Sequence, residues 1–373
     1  MMSDGDALRR AIVARPDDDT LRLVYADWLD ENGRPERAGF VRAQVWAAQA
    51  EPFGPDARRH AAAAARVPKA QKDEWAKPVR QRVLEWRFAR GFVEHVAVDV
   101  ATFPRDAAAL FAAEPIRSLK MTRFAYAGEV SLLPFFQTPE LERVVRLDLA
   151  GLRVSPVELE PLAAECPQLA NLTDLCLRGT LVMPDWLTTL LVGPALPALA
   201  GLELADVSHL GPRLADVLPR ADHRHLLRLD VSGIPFDSGE IQKVLGSRCL
   251  REVDELRLGG MIGTGRAGAL THLDLGWVIP WDRLRVLDLN GQGVGDDGVI
   301  EVVKELARRR EPSPLRWLGL ANNRVGADGV RALVRSDGAK LNLYHLDVTG
   351  NGLTLSQRAA LQARFPDAVI DGS

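Results

Sequence analysis

Aliphatic residues in this chain fall into one recurring phrase. LTDLCL, LAGLEL, LLRLDV, LRVLDL, LRWLGL and LYHLDV place them at the first, fourth and sixth positions. The fourth position recurs at Leu147, Leu175, Leu202, Leu229, Leu256, Leu287, Leu318 and Leu346, at intervals of 28, 27, 27, 27, 31, 31 and 28 by subtraction. IRSLKM at Leu119 and VEHVAV at Val96 extend the series upstream. Alternation over a few residues predicts a short strand with its leucines turned inward. After VGDDG and VGADG the period lengthens to that of a helix. Ile300, Val303 and Leu306/Ala307 share one face there, behind an Asp at the helix start. Each period therefore predicts one strand, one turn and one return limb.

A period near 28 with L-x-x-L-x-L-x-x-N-x-L reads as a leucine-rich repeat, in which strands stack as a parallel sheet. LRWLGLANNRVG and YHLDVTGNGL carry the full phrase, with Asn323 and Asn351 at the asparagine position. Earlier units put Leu152, Thr180, Val207, Ile234 and Met261 there, so their turns are expected to be less regular. Over about residues 92–370 the pattern resembles the ribonuclease-inhibitor class of these repeats. The expected fold is α/β: a solenoid over 92–373 with a parallel concave sheet, convex helices and a C-terminal cap. About ten parallel strands are expected from Val96 to Leu346. LTHLDL (Leu270–Leu275) repeats the phrase, but its Leu273 lies 17 residues after Leu256 and 14 before Leu287. A coil needs at least ~20 residues, so RAGALTHL is expected to be the convex helix of the Leu256 coil.

TLRLVYADWLDENG, Thr20–Gly33, departs from the repeat. Leu21, Val24, Tyr25, Trp28 and Leu29 predict one wide apolar helical face, with cap candidates at Asp17–Asp19 and a stop at Gly33. Helices over Ala7–Ala14 and Glu36–Gln49 complete a small all-α unit, about residues 1–50. It is marginal in size to fold alone and suited to cap a solenoid. LRRAIVARPDDDTLRLVYADWLDENGRPERAGFVRAQ is similar to the repeat-companion domain found ahead of leucine-rich repeats in planctomycete bacteria. Pro16–Asp19 and Arg22–Leu29 carry that resemblance, and Gly39 departs from it where the family has an acidic residue. The family carries no assigned activity, so the resemblance implies architecture and not chemistry. Residues 51–91 are expected to be a helical connecting segment, with an alanine-rich helix in DARRHAAAAARV. Tyr25 and Trp28 are expected to be core and Asp27 a solvated or hydrogen-bonded polar residue; a docking site at these three is the alternative.

Composition narrows the functions. Net charge is −3 and the pI about 6.2, without the basic excess of a nucleic-acid binder. Cys166, Cys176 and Cys249 fit no zinc or disulfide spacing. The polar start MMSDGDALRR predicts no signal peptide, and the most apolar run is broken by prolines, so a cytoplasmic protein outside the membrane is expected. GTGRAG supplies a literal GxGxxG at Gly263, Gly265 and Gly268, but the repeat's own strand–turn–helix order accounts for it, and no cofactor is expected. The histidines of DHRH (Asp222–His225) lack an evident third ligand, and no metal is expected. ARFPDAVIDGS closely follows the last repeat, so no appended catalytic domain is expected either.

The expected function is therefore non-enzymatic: a scaffold or adaptor whose concave face binds a protein partner, with a basic surface on that partner as the expectation. In L-x-x-L-x-L the residues before and between the last two leucines point to that face. Arg146, Asp148, Glu203, Arg228, Asp230, Arg257, Asp288, Trp317, His345 and Asp347 occupy those two columns, and Tyr344 lies beside them. Glu203 and Asp230 are like charges on neighbouring strands, with Arg228 and Arg257 as expected compensation. Trp317, Tyr344, His345, Asp288 and Asp347 are expected to converge as an aromatic site ringed by carboxylates, as at binding hot spots. Regulation of a GTPase is the alternative, because one GTPase-activating family uses this repeat class; a nucleotide-cofactor enzyme using Gly263–Gly268 is the third reading.

Overall fold

A computed structural model of the chain describes residues 3–122, 132–152, 156–163, 166–180, 182–207, 209–221, 224–260, 279–309, 311–336 and 341–371. The chain divides into two compact units, residues 1–175 with 195–198 and residues 176–194 with 199–373. The structure is mixed α/β, with one strand per coil and strands following one another in chain order within each unit. The Gly263–Gly268 motif and the LTHLDL segment lie outside the described residues.

The first unit opens with helices α1 (Asp4–Ala14), α2 (Asp19–Glu31), α3 (Pro35–Gln49), α4 (Pro55–Ala65), α5 (Lys69–Trp75) and α6 (Lys77–Arg80). Asp18 caps α2: its carboxylate accepts from the backbone N–H groups of Thr20 and Leu21. Gly33 follows at φ +71, a left-handed conformation that ends the run. The buried face of α2 is Arg22, Tyr25, Ala26 and Leu29. The expected apolar face is thus rotated: Val24 is 44% exposed, and a fully buried arginine takes its place. Arg22 goes inside because its two terminal nitrogens are met there. Nη2 donates to the Pro16 carbonyl and pairs with Glu94, while Nη1 donates to the Arg90 carbonyl. Trp28 stacks on buried Tyr25, and its indole fills the place a side chain at Gly5 would take.

The 51–91 segment is helical only as far as Arg80. Its end forms strand β1 (Glu85–Ala89), which pairs antiparallel with β2 (Phe92–Asp99) around an Arg90–Gly91 turn. Phe92 packs into the same core as Ile12, Tyr25, Leu29, Ala38 and Val41. Helix α7 (Phe103–Ala113) then leads to β3 (Ser118–Thr122), and α8 (Leu133–Phe136) to β4 (Arg146–Asp148). The short α9 (Glu160–Ala163) precedes β5 (Asp174–Cys176); the N–H groups of Thr173 and Asp174 at its start donate to the Val145 carbonyl. β2, β3 and β4 are parallel, with Val96, Leu119 and Leu147 in one row.

The second unit continues with α10 (Pro184–Val192), β6 (Gly201–Glu203), α11 (Gly211–Val217), β7 (Arg228–Asp230), α12 (Ser238–Leu245), β8 (Glu255–Arg257) and β9 (Val286–Asp288). Then come α13 (Gly295–Arg308), β10 (Trp317–Gly319), α14 (Ala327–Arg335), β11 (His345–Asp347), α15 (Leu355–Arg364) and β12 (Val369–Asp371). The strands from β6 to β12 pair in parallel, and Leu202, Leu229, Leu256, Leu287, Leu318 and Leu346 share one register. Each of these leucines is at most 1% exposed. The repeat phrase thus marks strand centres in both units. β12, which carries no leucine phrase, adds one more strand.

On α13 the buried residues are Val299, Val302, Glu305 and Leu306, so the buried face is one residue out of phase with the expected Ile300/Val303 face. The helix starts at Gly295, and Asp296 does not cap it. Its carboxylate accepts instead from Gly326 and Gly329 of the next coil, at 2.5 and 3.0 Å, capping α14 from outside.

Candidate functional site

Between the two inward leucines of each strand stands one outward residue. In four strands it is an aspartate with the same local role. Asp148, Asp230, Asp288 and Asp347 accept from the backbone N–H two residues on, at Ala150, Ser232, Asn290 and Thr349, at 2.8–3.0 Å. These side chains close the turn that leaves the strand. One oxygen of each is committed to the fold, which leaves the other for a neighbour or a partner.

In the second unit that other oxygen is used differently from coil to coil. Asp230 is buried, and Arg178 reaches its Oδ2 at 3.0 Å. Its counter-ion thus comes from outside the two columns the sequence pointed to, and Asp230 offers little surface to a partner. Glu203 beside it is half-buried, as is Arg228. Asp347 accepts from Asn290 Nδ2 at 3.3 Å. Burial pushes the Asp288 carboxyl above the usual carboxylate range, and Asp230 and Asp347 push the same way. The Asn290 N–H and the Arg257 charge act against them. Glu255 is raised by burial too, opposed by Arg257 and Arg228.

Trp317 and His345 face each other across β10 and β11. Their rings stack at 5.3 Å and 7°. Arg257 lies over the indole with its guanidinium carbon 5.2 Å from the ring centroid, a cation–π contact. At the other end His345 Nε2 is 3.1 Å from Asp371 Oδ2 on β12. Arg257, Trp317 and His345, all half-buried, thus form a row across the C-terminal strands that ends on the exposed Asp371. Gly319 makes room for it. A side chain there would meet the Trp317 ring at 2.7 Å and Asp288 Oδ1 and Asn290 Oδ1 at 2.8 Å. Tyr344 is placed against Arg316, 5.5 Å from guanidinium carbon to ring centre. Of the expected cluster, Trp317, His345, Asp288 and Asp347 lie around Gly319, and Tyr344 stands in the neighbouring row.

In the first unit Arg146 and Asp148 lie on β4. Arg146 is in line with Ser118 and His95, and Arg87 of β1 pairs with His95 on the other side. Burial and these cations depress the His95 imidazole to about 4. Asp27 is held by Arg42, which reaches Asp27 and Asp30 at 2.6 Å each and ties α2 to α3.

Of the DHRH residues, Asp222 and His223 lie outside the described set. Arg224 is buried and donates to the carbonyls of Leu190, Leu191 and Gly193, so it closes the C-terminus of α10. His225 is exposed.

Sequence reasoning missed several residues. Gln292 stands at the asparagine position of the Leu287 coil and donates to the Leu258 carbonyl, as Asn323 and Asn351 donate to Leu289 and Leu320. Counting five residues on from each strand leucine finds it. Asp371 and Arg178 lie outside the leucine phrase, and no spacing points to them. Arg37, buried on α3, also went unnoticed. Among the described residues no helix is long and apolar enough to cross a membrane.

No protein-family model and no curated protein matches this chain. Among solved structures, the crystal structure of the Rad7 and Elc1 complex in yeast aligns over 100% of this chain and 94% of that chain, with 16% identity and a TM-score of 0.45. At that identity and score the likeness carries no functional information.

Proposed function

We propose that the chain is a non-enzymatic interaction protein that binds a protein partner on the outward, concave side of its repeat strands. In this reading residues 1–50 are a helical companion domain of the planctomycete type, 51–91 connect it, and 92–373 form a solenoid of the ribonuclease-inhibitor-like class in a bacterial cytoplasm. The observation that carries the binding site is the half-buried row Arg257–Trp317–His345, continued by the exposed Asp371, with Asp288 and Asp347 beside it. A large aromatic that is neither core nor free is the usual anchor of a binding hot spot. The surrounding carboxylates favour a partner with a basic surface.

Surface plasmon resonance on a captured partner tests this. Trp317→Ala is expected to speed dissociation, with a loss of ~2 kcal/mol or more in binding. Asp347→Lys is expected to slow association, most at low salt, where screening is least. Asp230→Lys is unsuitable, because it places a cation in a buried site beside Arg178. If Trp317→Ala and Asp347→Lys bind like the parent while changes on α13 or α2 abolish binding, the site lies elsewhere.

A further inference from the structure

The first unit contains a cavity that the repeat reading does not use. It measures about 530 Å³ and is lined by Arg9, Arg34, Arg37, Tyr25, Trp75 and Glu36, among others. That is within the range of small-ligand sites, ~300–1,000 Å³. Gly33, Arg34, Pro35 and Glu36 form an exposed rim, while Tyr25 and Leu29 are buried. The cavity sits at the start of α3, a fifteen-residue helix with Pro35 in its first turn and no side-chain cap. Helix N-termini attract anions, but that alone makes no site.

Arg37 supplies the second observation. It is 9% exposed. One of its nitrogens, Nη2, donates to the Gly91 carbonyl at 2.5 Å. Its other terminal nitrogen, Nη1, is buried without a hydrogen-bond partner. No carboxylate pairs with Arg37 among the described residues. Its guanidinium carbon is 4.4 Å from the Trp75 ring centroid, 5.2 Å from that of Phe88 and 5.5 Å from that of Phe40. Desolvation lowers its pKa to about 10, with Glu114 the main opposing charge. A buried cation ordinarily has a counter-ion. The buried carboxylates nearby are already engaged: Glu114 by Arg9 and the Val93 N–H, Glu94 by Arg22 and Arg90. Glu36, the one carboxylate in the lining, is exposed and accepts from Gln71 at 2.6 Å.

We infer that this cavity binds a small amphipathic oxyanion: a carboxylate or phosphate group drawn to the uncompensated Arg37 guanidinium with help from Arg34 and Arg9, carried on an apolar body lying against Leu29, Tyr25 and Trp75. The site is separate from the strand row proposed for partner binding, and either can fail without the other. Three arginines against one carboxylate make the lining cationic, and the aromatic wall selects a ring or a short hydrocarbon chain.

Isothermal titration of the full chain with benzoate, phenyl phosphate, inorganic phosphate and benzyl alcohol tests the inference. Benzoate or phenyl phosphate is expected to bind, and whichever is tighter identifies the head group. Inorganic phosphate is expected to bind more weakly for want of the apolar body, and benzyl alcohol not to bind. Arg37→Met keeps the bulk and removes the charge; it is expected to weaken binding of the anion ~10-fold or more, as when a charge-assisted hydrogen bond is lost. Arg34→Gln, on the exposed rim, is expected to weaken it several-fold without altering the melting temperature. Binding of benzyl alcohol as tight as benzoate, no binding of either organic anion, or unchanged affinity in a folded Arg37→Met overturns the inference. Should Arg37→Met fail to fold, Arg34→Gln decides alone, and unchanged affinity there overturns it.

Discussion

At the scale of single residues, the outward aspartates show how one side chain serves two ends. The turn after each strand needs an acceptor for the N–H two residues on, and aspartate supplies it. The same carboxylate then has one oxygen left. Where a neighbouring arginine covers it, as Arg178 covers Asp230, the residue belongs to the fold. Where it lies beside a half-buried aromatic, as Asp288 lies with Trp317 around Gly319, it is available for recognition, while Asp347 shares its second oxygen with Asn290. His95 shows the converse, a group whose surroundings refuse a charge. Its folded pKa of about 4 lies below the ordinary 6.5 because of burial and the cations Arg87, Arg146 and Arg90. Between those values the unfolded chain binds more protons than the folded one. The stabilisation is therefore complete above pH 6.5 and is lost as pH falls toward 4, at no more than ~1.4 kcal/mol per pH unit, and less because the ring is partly solvated. Glu94 and Glu114, raised by burial, act in the opposite sense. The difference between the parent and His95→Gln isolates the histidine. Urea midpoints of the variant are expected to fall less steeply from pH 6.5 to 4. Parallel pH profiles would show that the imidazole titrates normally.

At the scale of elements, regularity follows the side-chain amides. Asn323 is fully buried; it accepts from the Val294 N–H and donates to Leu289 and Ala321. Asn351 repeats the arrangement one coil on, accepting from Asn323 and Val325. With Gln292, these amides tie successive C-terminal coils backbone to backbone. Asn323→Leu strands the Val294 N–H, at a cost of about 1–3 kcal/mol, and takes one of two donors from the Leu289 carbonyl, which keeps the Gln292 N–H. Ile234→Leu, at the same position in a coil without the tie, is expected to cost less than ~1.5 kcal/mol. Equal losses in chemical denaturation would mean that the amide is no more than filler. Asp296 is a second inter-coil device, because it caps the helix of the following coil. Asp296→Ala is expected to destabilise by ~1 kcal/mol, the usual worth of an N-cap, and to raise amide hydrogen exchange at Gly326 and Gly329. Exchange unchanged at those two amides would refute the cap.

At the scale of the whole molecule, the helical start is inseparable from the first strands. Phe92 lies in the core of α1–α3, and the buried Arg22 and Arg37 find their acceptors at Arg90, Gly91 and Glu94. A 1–50 fragment therefore lacks the partners of two buried cations and part of its core. It is expected to show no cooperative melt by circular dichroism, whereas a 1–122 fragment, which includes the hairpin, α7 and β3, is expected to melt cooperatively. A cooperative transition in 1–50 would show that the three helices need no strand to fold.

The sequence alone determined where the strands of the leucine phrase lie, because a leucine every 27–31 residues has only one buried use in a stacked parallel sheet, whereas β1 and β12 carry no such phrase. It also determined the first three helices, which caps and spacing announce locally. Only the tertiary structure decided which polar groups are inside. Spacing scores Arg22 and Arg37 as polar and therefore outside, yet backbone carbonyls of a hairpin some sixty residues away take them in. Likewise, spacing placed Asp230 and Asp347 in one column as equals, and only the approach of Arg178 to one and of Asn290 to the other distinguished them. Hydrophobic periodicity is a property of neighbours in the chain. Satisfaction of charge is a property of neighbours in space, and it had to be read from the folded molecule.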